Sequence, residues 1–162
     1  MSSTMLRTAT PEDEAFLFEL YSSTRAEEMA AWGWPAPQRE MFLKMQYAAQ
    51  SQAFRSTFPQ ADHHIILHGE RPIGRLFIDR CGLHLTLVDI ALLPEYRRQG
   101  IGTALLRDLQ EEAARVGKAV RLHVFKTNPA ARLYERLGFQ RIGEDGVTFL
   151  GRAERRWSDW FA

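Results

Sequence analysis

The chain contains the segment Leu92-Leu93-Pro94-Glu95-Tyr96-Arg97-Arg98-Gln99-Gly100-Ile101-Gly102-Thr103, in which an apolar run gives way to a basic turn with two glycines and then to a helix-like repeat. Backbone N–H groups at the start of a helix have no partner inside the helix and lie at the positive end of its dipole. Glycines at 100 and 102 let a ligand approach those groups closely, and Arg97 and Arg98 add positive charge. The segment therefore predicts a site for a pyrophosphate group.

Two common phosphate-binding motifs do not fit this segment. A Walker loop has Gly-Lys-Ser/Thr after its glycines, and that sequence does not follow here. The dinucleotide pattern Gly-x-Gly-x-x-Gly fails because its third glycine would fall on Leu105. A bare Gly-x-Gly is also compatible with a tight strand-to-helix turn that binds no ligand, so the glycines alone leave that alternative open.

Hydrophobic periodicity and turn residues on both sides of the segment predict the element order β-α-α-β-β-β-α-β-α-β-β. The predicted elements are a strand at 5–9, a helix from Pro11, a break at 31–37, a helix at 38–55, strands at 63–68, 72–79 and 84–92, a helix at 100–116, a strand at 119–125, a helix at 129–137, and strands at 139–143 and 147–150.

The crossover helix at 100–116 lies between two strands, which favours parallel pairing of 84–92 with 119–125 in an otherwise antiparallel sheet. The fold class is therefore α+β, with a mixed, mostly antiparallel sheet of about seven strands around a parallel central pair and about four flanking helices. A chain of 162 residues fits one compact domain over 1–162, with a tail at 152–162 that we expect to be extended.

Two motifs together resemble a known family. Arg97-Arg98-Gln99-Gly100-Ile101-Gly102 is similar to the Arg/Gln-x-x-Gly-x-Gly/Ala motif of the GNAT acetyltransferase superfamily. Downstream, Asn128-Pro129-Ala130-Ala131-Arg132-Leu133-Tyr134-Glu135-Arg136-Leu137-Gly138-Phe139 resembles the second signature of that family. The resemblance covers about 85–144, and the first 60 residues share no motif with the family.

This resemblance implies acetyl-CoA as the acyl donor and a direct attack by an amine in a ternary complex. It also implies that the two central parallel strands splay apart and that the pantetheine arm pairs with backbone groups in the gap. The pyrophosphate would rest on the amides that follow. The implied cofactor-binding residues are Ala91, Leu92, Leu93, Arg97, Arg98, Gln99, Gly100, Ile101, Gly102, Thr103, Asn128 and Tyr134.

The same resemblance makes Tyr134 the proton donor to the leaving thiolate. The base that takes the amine proton is less determined. His123 shares a strand face with Arg121 and Phe125, which favours a position beside the cleft, whereas a core histidine with a backbone partner is the alternative. Asp89 on the neighbouring strand, or water, competes with His123 for the role.

Tyr21, Trp32 and Trp34 lie where this family places the lid of its acceptor site, and we assign them, with Asp89, to substrate binding. Packing between two helices is the alternative for these aromatic residues. The acceptor is expected to be the amine of a small molecule or of a protein. A toxin that acetylates aminoacyl-tRNA and a CoA-binding module without turnover are the other interpretations of the family resemblance.

Composition argues against several further classes. Lys and Arg total 21 against 20 Asp and Glu, so the chain lacks the basic excess typical of nucleic-acid binders. No apolar run is long enough to span a membrane, and no histidine pair has metal-ligand spacing, so neither a membrane nor a metal is expected. The single cysteine, Cys81, fits a reduced cytoplasmic setting. We interpret the tail as solvated or as a homodimer contact.

Overall fold

A computed structural model of the chain describes residues 4–123, 134–141 and 148–152. Its strands are β1 (Thr4–Thr8), β2 (Asp62–His68), β3 (Arg71–Asp79), β4 (His84–Leu92), β5 (Ala119–His123), β6 (Gln140–Arg141) and β7 (Thr148–Arg152). Its α-helices are α1 (Glu14–Trp32), α2 (Ala36–Thr57) and α3 (Ile101–Arg115), and short 3-10 turns cover Pro11–Asp13 and Pro94–Tyr96. Of the predicted fourth helix, residues 134–137 lie in the described part, and 134–136 of them are helical.

The strands form one sheet in the order β1-β2-β3-β4-β5-β7-β6. β4 and β5 are parallel, with a register that runs from His84 opposite Ala119 to Leu87 opposite Leu122. β1 pairs with β2, and β7 with both β5 and β6, in antiparallel fashion. The predicted α+β class, with one parallel pair in a mostly antiparallel sheet, is confirmed.

By its internal contacts the chain divides into two compact units, and the expectation of a single domain remains a prediction. The first unit holds the residues up to 77 together with 89–98. Its apolar core includes Leu20 and Met29 of α1, Ile65 and Ile66 of β2, and Ile73 of β3, all of them buried. These residues form the apolar core of α1, β2 and β3.

The hinge between α1 and α2 is shorter than the predicted break at 31–37. α1 continues through Trp32 and ends at Gly33, whose φ of 67° is left-handed. α2 begins at Ala36, so Pro37 lies in its first turn. Proline is tolerated there because the first amides of a helix have no carbonyl partner within it. Pro35 and Pro37 therefore lie at the start of α2, where the sequence predicted a break between helices.

The second unit holds residues 78–88 and those from 99 onwards. α3 is amphipathic and buries Leu105, Leu106 and Leu109, while Val120 and Leu122 of β5 are also buried. The Gln110 side chain donates a hydrogen bond of 2.9 Å to the Leu137 carbonyl. Two hydrogen bonds join Arg80 to Glu112, the shorter 2.6 Å from Nε to Oε2. Packing and polar contacts thus fix α3, whose first turn carries the glycines of the predicted pyrophosphate site.

A close backbone contact fixes the end of β4. The Ala91 carbonyl oxygen faces Gly74 so closely that a Cβ built on Gly74 would lie 2.2 Å from it. The neighbouring Leu93 amide donates a hydrogen bond of 2.8 Å to the Ile73 carbonyl. Only a residue without a side chain fits position 74, because the atom that a Cβ would meet belongs to backbone. Gly74 therefore sets the path of the strand end to which the pantetheine arm is assigned.

We expect Gly74→Ala to lower the free energy of unfolding by about 1–3 kcal/mol, the usual cost of overpacking a filled site. β4 must shift to relieve the contact with the Ala91 carbonyl, so acetyl-CoA binding is expected to weaken as well. Chemical denaturation and calorimetry measure the two effects. Gly82→Ala is the matched control, because a Cβ at Gly82 meets nothing closer than 3.8 Å. Equal stability of the two variants would contradict this account of Gly74.

Candidate active site

The first turn of α3 presents backbone donors to an open space. Gly100 precedes the helix with a left-handed φ of 82°. The first intrahelical hydrogen bond, 3.0 Å long, runs from the Ala104 amide to the Gly100 carbonyl. The amides of Ile101, Gly102 and Thr103 consequently have no partner within the helix. A Cβ at Gly102 would meet no atom of the described residues within 4 Å, so these residues leave the space beside Gly102 open. This arrangement is suited to an anion.

The turn before α3 is strained at one residue. Among the described residues, Arg98 is the sole non-glycine with a positive φ, which is 62°. A bulky side chain in this left-handed region costs conformational energy, and such residues cluster at ligand-binding sites. The side chains of Arg98 and Gln99 are exposed. The role of this turn in phosphate binding remains a prediction.

Arg97 has contacts that the sequence did not indicate. Its Nε donates a hydrogen bond of 2.9 Å to the Leu92 carbonyl. Its Nη2 lies 3.5 Å from the Ser23 hydroxyl of α1. The guanidinium therefore joins the end of β4 to α1 and stabilises the chain between them. Its predicted contact with a pyrophosphate remains a prediction.

Asp89, predicted to bind substrate or act as base, forms an ion pair. Arg75 Nε donates to its Oδ2 at 2.7 Å, and the Arg75 side chain is only 7% exposed while that of Asp89 is 29% exposed. One carboxylate oxygen is thus occupied by a buried cation. To act as a base or to bind a substrate amine, Asp89 would have to use its second oxygen, Oδ1, or the remaining lone pair of Oδ2.

Tyr134, the predicted proton donor, is 8% exposed. Its ring packs edge-on against Phe139 with the centroids 5.8 Å apart. Its carbonyl accepts hydrogen bonds from the Leu137 and Phe139 amides, which end the helix in which it lies. The predicted role of Tyr134 as an acid remains a prediction. Asn128 lies outside the described residues, and of His123 only the backbone position at the end of β5 is described.

The aromatic residues assigned to the acceptor site fall into two groups. Trp32 and Trp34 pack against Phe42, with ring centroids 5.7 and 5.2 Å from that of Phe42, and remain 41% and 39% exposed. Tyr21 instead lies 5.6 Å from the Tyr47 ring. Its hydroxyl accepts a hydrogen bond of 2.9 Å from Arg25. The three aromatic residues that the family resemblance assigned together therefore have different neighbours, and their role in substrate binding remains a prediction.

The sequence analysis missed a polar network centred on Arg75. Besides the pair with Asp89, its Nη2 donates a hydrogen bond of 2.9 Å to Gln50 Oε1. The cavity beside it includes His63, whose pKa is lowered to about 4 by burial and by the nearby positive charge of Arg75. A signal was present in the sequence, because a single arginine interrupts the apolar stretch 72–78. A charge at such a position needs a buried partner.

Comparison with known proteins identifies relatives of the chain. The model of the acetyltransferase (GNAT) family matches residues 18–139. The [ribosomal protein bS18]-alanine N-acetyltransferase of Escherichia coli is 50% identical over 56 residues, which are 33% of this chain and 38% of that protein. An N-alpha-acetyltransferase of Sulfurisphaera tokodaii is 39% identical over 59 residues, 35% of each chain. The chain thus matches well under half the length of these curated relatives.

Solved structures share the fold. The PaiA N-acetyltransferase of Thermoplasma acidophilum, in complex with coenzyme A, superposes with a TM-score of 0.67 and 18% identity over 93% of this chain and 99% of that one. The E. coli ribosomal-protein-S18-alanine N-acetyltransferase gives 0.61 and 20% over 93% and 94%. In the part of the chain that the structure describes, no helix is long and apolar enough to cross a membrane. Within the same residues, no cluster of three His, Cys, Asp or Glu side chains is arranged to hold a metal.

Proposed function

The chain belongs to the acetyltransferase (GNAT) family, and from that premise we propose that it transfers the acetyl group of acetyl-CoA to the α-amino group of a protein N-terminus. The observation that carries the proposal is the first turn of α3, where the amides of residues 101–103 have no partner within the helix and the described residues leave the space beside Gly102 open. Such a set of donors fits the pyrophosphate of coenzyme A, the donor that this family uses.

The residues proposed to hold acetyl-CoA lie on two consecutive segments. Ala91 and Leu92 are proposed to offer backbone groups to the pantetheine arm, and the amides from Arg98 to Thr103 to receive the phosphates. Leu93 would lie beside the arm, because its amide already donates to the Ile73 carbonyl and its carbonyl accepts from the Tyr96 amide. Acetyl-CoA supplies an activated carbonyl carbon and a thiolate leaving group. Asn128 and Tyr134 complete the proposed set. The open approach at Gly102 is the feature of this chain that fits the group.

In the proposed reaction the neutral amine nitrogen attacks the thioester carbonyl, so a C–N bond forms and the C–S bond breaks. The amine loses one proton to a base, and the departing sulfur gains one from Tyr134. His123, Asp89 and water remain the candidates for the base. Asp89 has the disadvantage that its Oδ2 already accepts from Arg75 at 2.7 Å.

The choice of an α-amine rests on the relatives and on acid–base chemistry. The two curated relatives are named for acetylation of an alanine of a ribosomal protein and of α-amino groups. An α-amine has a pKa of about 7.7–8.0 against about 10.4 for lysine, so a far larger fraction is neutral at pH 7. An α-amine therefore needs a weaker base than a lysine amine does. This fits a site in which the candidate carboxylate, Asp89, is already in an ion pair with Arg75.

A peptide panel tests the acceptor. We expect thiol release from acetyl-CoA with a peptide that has a free N-terminal alanine and an internal lysine. The same peptide with a blocked N-terminus is expected to be inactive, because only the lysine amine is left. Mass spectrometry of the product locates the acetyl group. Equal acetylation of the blocked peptide, or activity confined to small amines, would overturn the α-amine proposal, and no turnover with any amine would favour a non-catalytic CoA-binding module.

A further inference from the structure

The unit formed by residues up to 77 and 89–98 contains a cavity of about 450 Å³. It lies between the start of α1, the second half of α2, the start of β2 and the middle of β3. The lining residues are Glu14, Tyr47, Ser51, Phe54, Arg55, Phe58, Pro59, Ala61, His63, Arg75 and Phe77. Cavities of this size accommodate small organic ligands.

One wall of the cavity is aromatic. The His63 and Phe77 rings lie 4.7 Å apart at an interplanar angle of 33°. Phe54 packs against Phe77 at 5.5 Å, and the Arg75 guanidinium lies 5.6 Å from the Phe54 ring. These aromatic residues make part of the lining apolar, which favours a ligand with an apolar, preferably aromatic, body.

A buried cation lines the same cavity. Arg75 is 6% exposed, which is rare for an arginine. Its guanidinium carries five N–H groups, and the described residues accept from two of them: Asp89 from Nε and Gln50 from Nη2. Nη1 donates to none of the described residues and is not fully enclosed by them, so its two N–H groups are available to an acceptor in the cavity.

The remaining polar groups of the lining favour an anion. Among the described residues, His63 Nε2 is buried and has no hydrogen-bond partner. Glu14 is the acidic residue of the lining, and its Oε2 already accepts from the Tyr47 hydroxyl at 3.0 Å. Arg55 also lines the cavity, whereas the charge of Arg75 is already compensated by Asp89. The donors of Arg75 that have no acceptor among the described residues, together with the positive charge of Arg55, therefore suit a ligand that brings negatively charged oxygen atoms.

We propose that this cavity binds a small organic monocarboxylate with an apolar, preferably aromatic, body. The carboxylate accepts hydrogen bonds from Arg75, and the body packs on Phe54, His63 and Phe77. A planar guanidinium matches a carboxylate with two parallel hydrogen bonds, which an amide of the same shape does not reproduce. This site goes beyond the proposed acetyl transfer, and its occupancy does not depend on acetyl-CoA.

Isothermal calorimetry on the full chain tests the proposal with two matched pairs of probes: phenylacetate against phenylacetamide, and hexanoate against hexanamide. We expect each carboxylate to bind about tenfold or more tightly than its amide, and phenylacetate to bind more tightly than hexanoate. Equal affinity of acid and amide, or no binding of any probe at millimolar concentration, would overturn the proposal. Neither outcome bears on acetyl transfer, which is measured separately by thiol release.

Substitutions locate the binding. Ser51→Trp places a large side chain in the cavity and is expected to abolish phenylacetate binding. Ser56→Trp is the matched control, because Ser56 is an exposed serine of the same helix that does not line the cavity. This variant should bind phenylacetate as the unmodified chain does.

The double variant Arg75→Gln/Asp89→Asn removes the ion pair without leaving a buried charge unpaired. In this variant the affinity of phenylacetate should be close to that of phenylacetamide. If Ser51→Trp fails to fold, the double variant alone tests whether the ligand binds in this cavity. Undiminished preference for the acid in the double variant would refute the role of Arg75.

Discussion

Gly102→Val is expected to weaken acetyl-CoA binding by about 10²–10³-fold, which corresponds to the loss of one or two charge-assisted hydrogen bonds. The added side chain would occupy the open space beside the α3 amides, which is where a pyrophosphate has to approach. The fold should survive, because a Cβ at this position meets no atom within 4 Å and the residue has no positive φ. Calorimetric titration with acetyl-CoA measures the loss.

Gly82→Val is the matched control for this substitution. Gly82 also lacks a positive φ, and its nearest contact for a Cβ is at 3.8 Å, so both variants carry the same change at an unstrained glycine. The control should keep full affinity for acetyl-CoA. If a folded Gly102→Val chain also kept full affinity, the first turn of α3 would be a strand-to-helix connection that binds no phosphate. Gly100 is less suitable for this test, because its φ of 82° would strain any other residue.

Local sequence predicted the elements around the site closely because each is fixed by short-range patterns. β4 spans His84–Leu92 as predicted from its apolar run, and α3 spans Ile101–Arg115 within the predicted 100–116. Gly100 indicates where α3 begins, and the spacing of Leu105 and Leu109 indicates that the segment is a helix with one buried face. The parallel pairing of β4 with β5 followed from the crossover helix between them.

Contacts between residues far apart in sequence were not predictable in this way. The sequence shows Gly74 only as a glycine within a strand, and its contact with the Ala91 carbonyl is known from the structure alone. Arg75 acquires Gln50 and Asp89 as partners only when α2 and β4 fold against β3. Arg97 was assigned to phosphate on the basis of its charge, whereas its side chain lies against the Leu92 carbonyl, five residues away. Charge and periodicity identify such residues as unusual, but tertiary structure selects their partners.

Tyr134→Phe is expected to lower the turnover number by about 10²–10⁴-fold, the usual contribution of a general acid. The affinity for acetyl-CoA should change little, because the hydroxyl matters mainly while the C–S bond breaks. The aromatic ring remains in place in the variant, so the edge-on packing against Phe139 at 5.8 Å is retained. Steady-state kinetics with the peptide acceptor, together with calorimetry, separates the two quantities.

The control for Tyr134→Phe removes a hydroxyl of the same kind elsewhere. Tyr96→Phe deletes a hydroxyl that accepts a 3.0 Å hydrogen bond from Arg71 at the surface, and turnover should be retained. The control is needed because Tyr134 is only 8% exposed, and such burial is also expected of a tyrosine with a purely structural role. A structural role predicts lower stability with unchanged turnover in the folded fraction. A catalytic role predicts lower turnover with nearly unchanged stability, so denaturation and kinetics on the same sample distinguish the two.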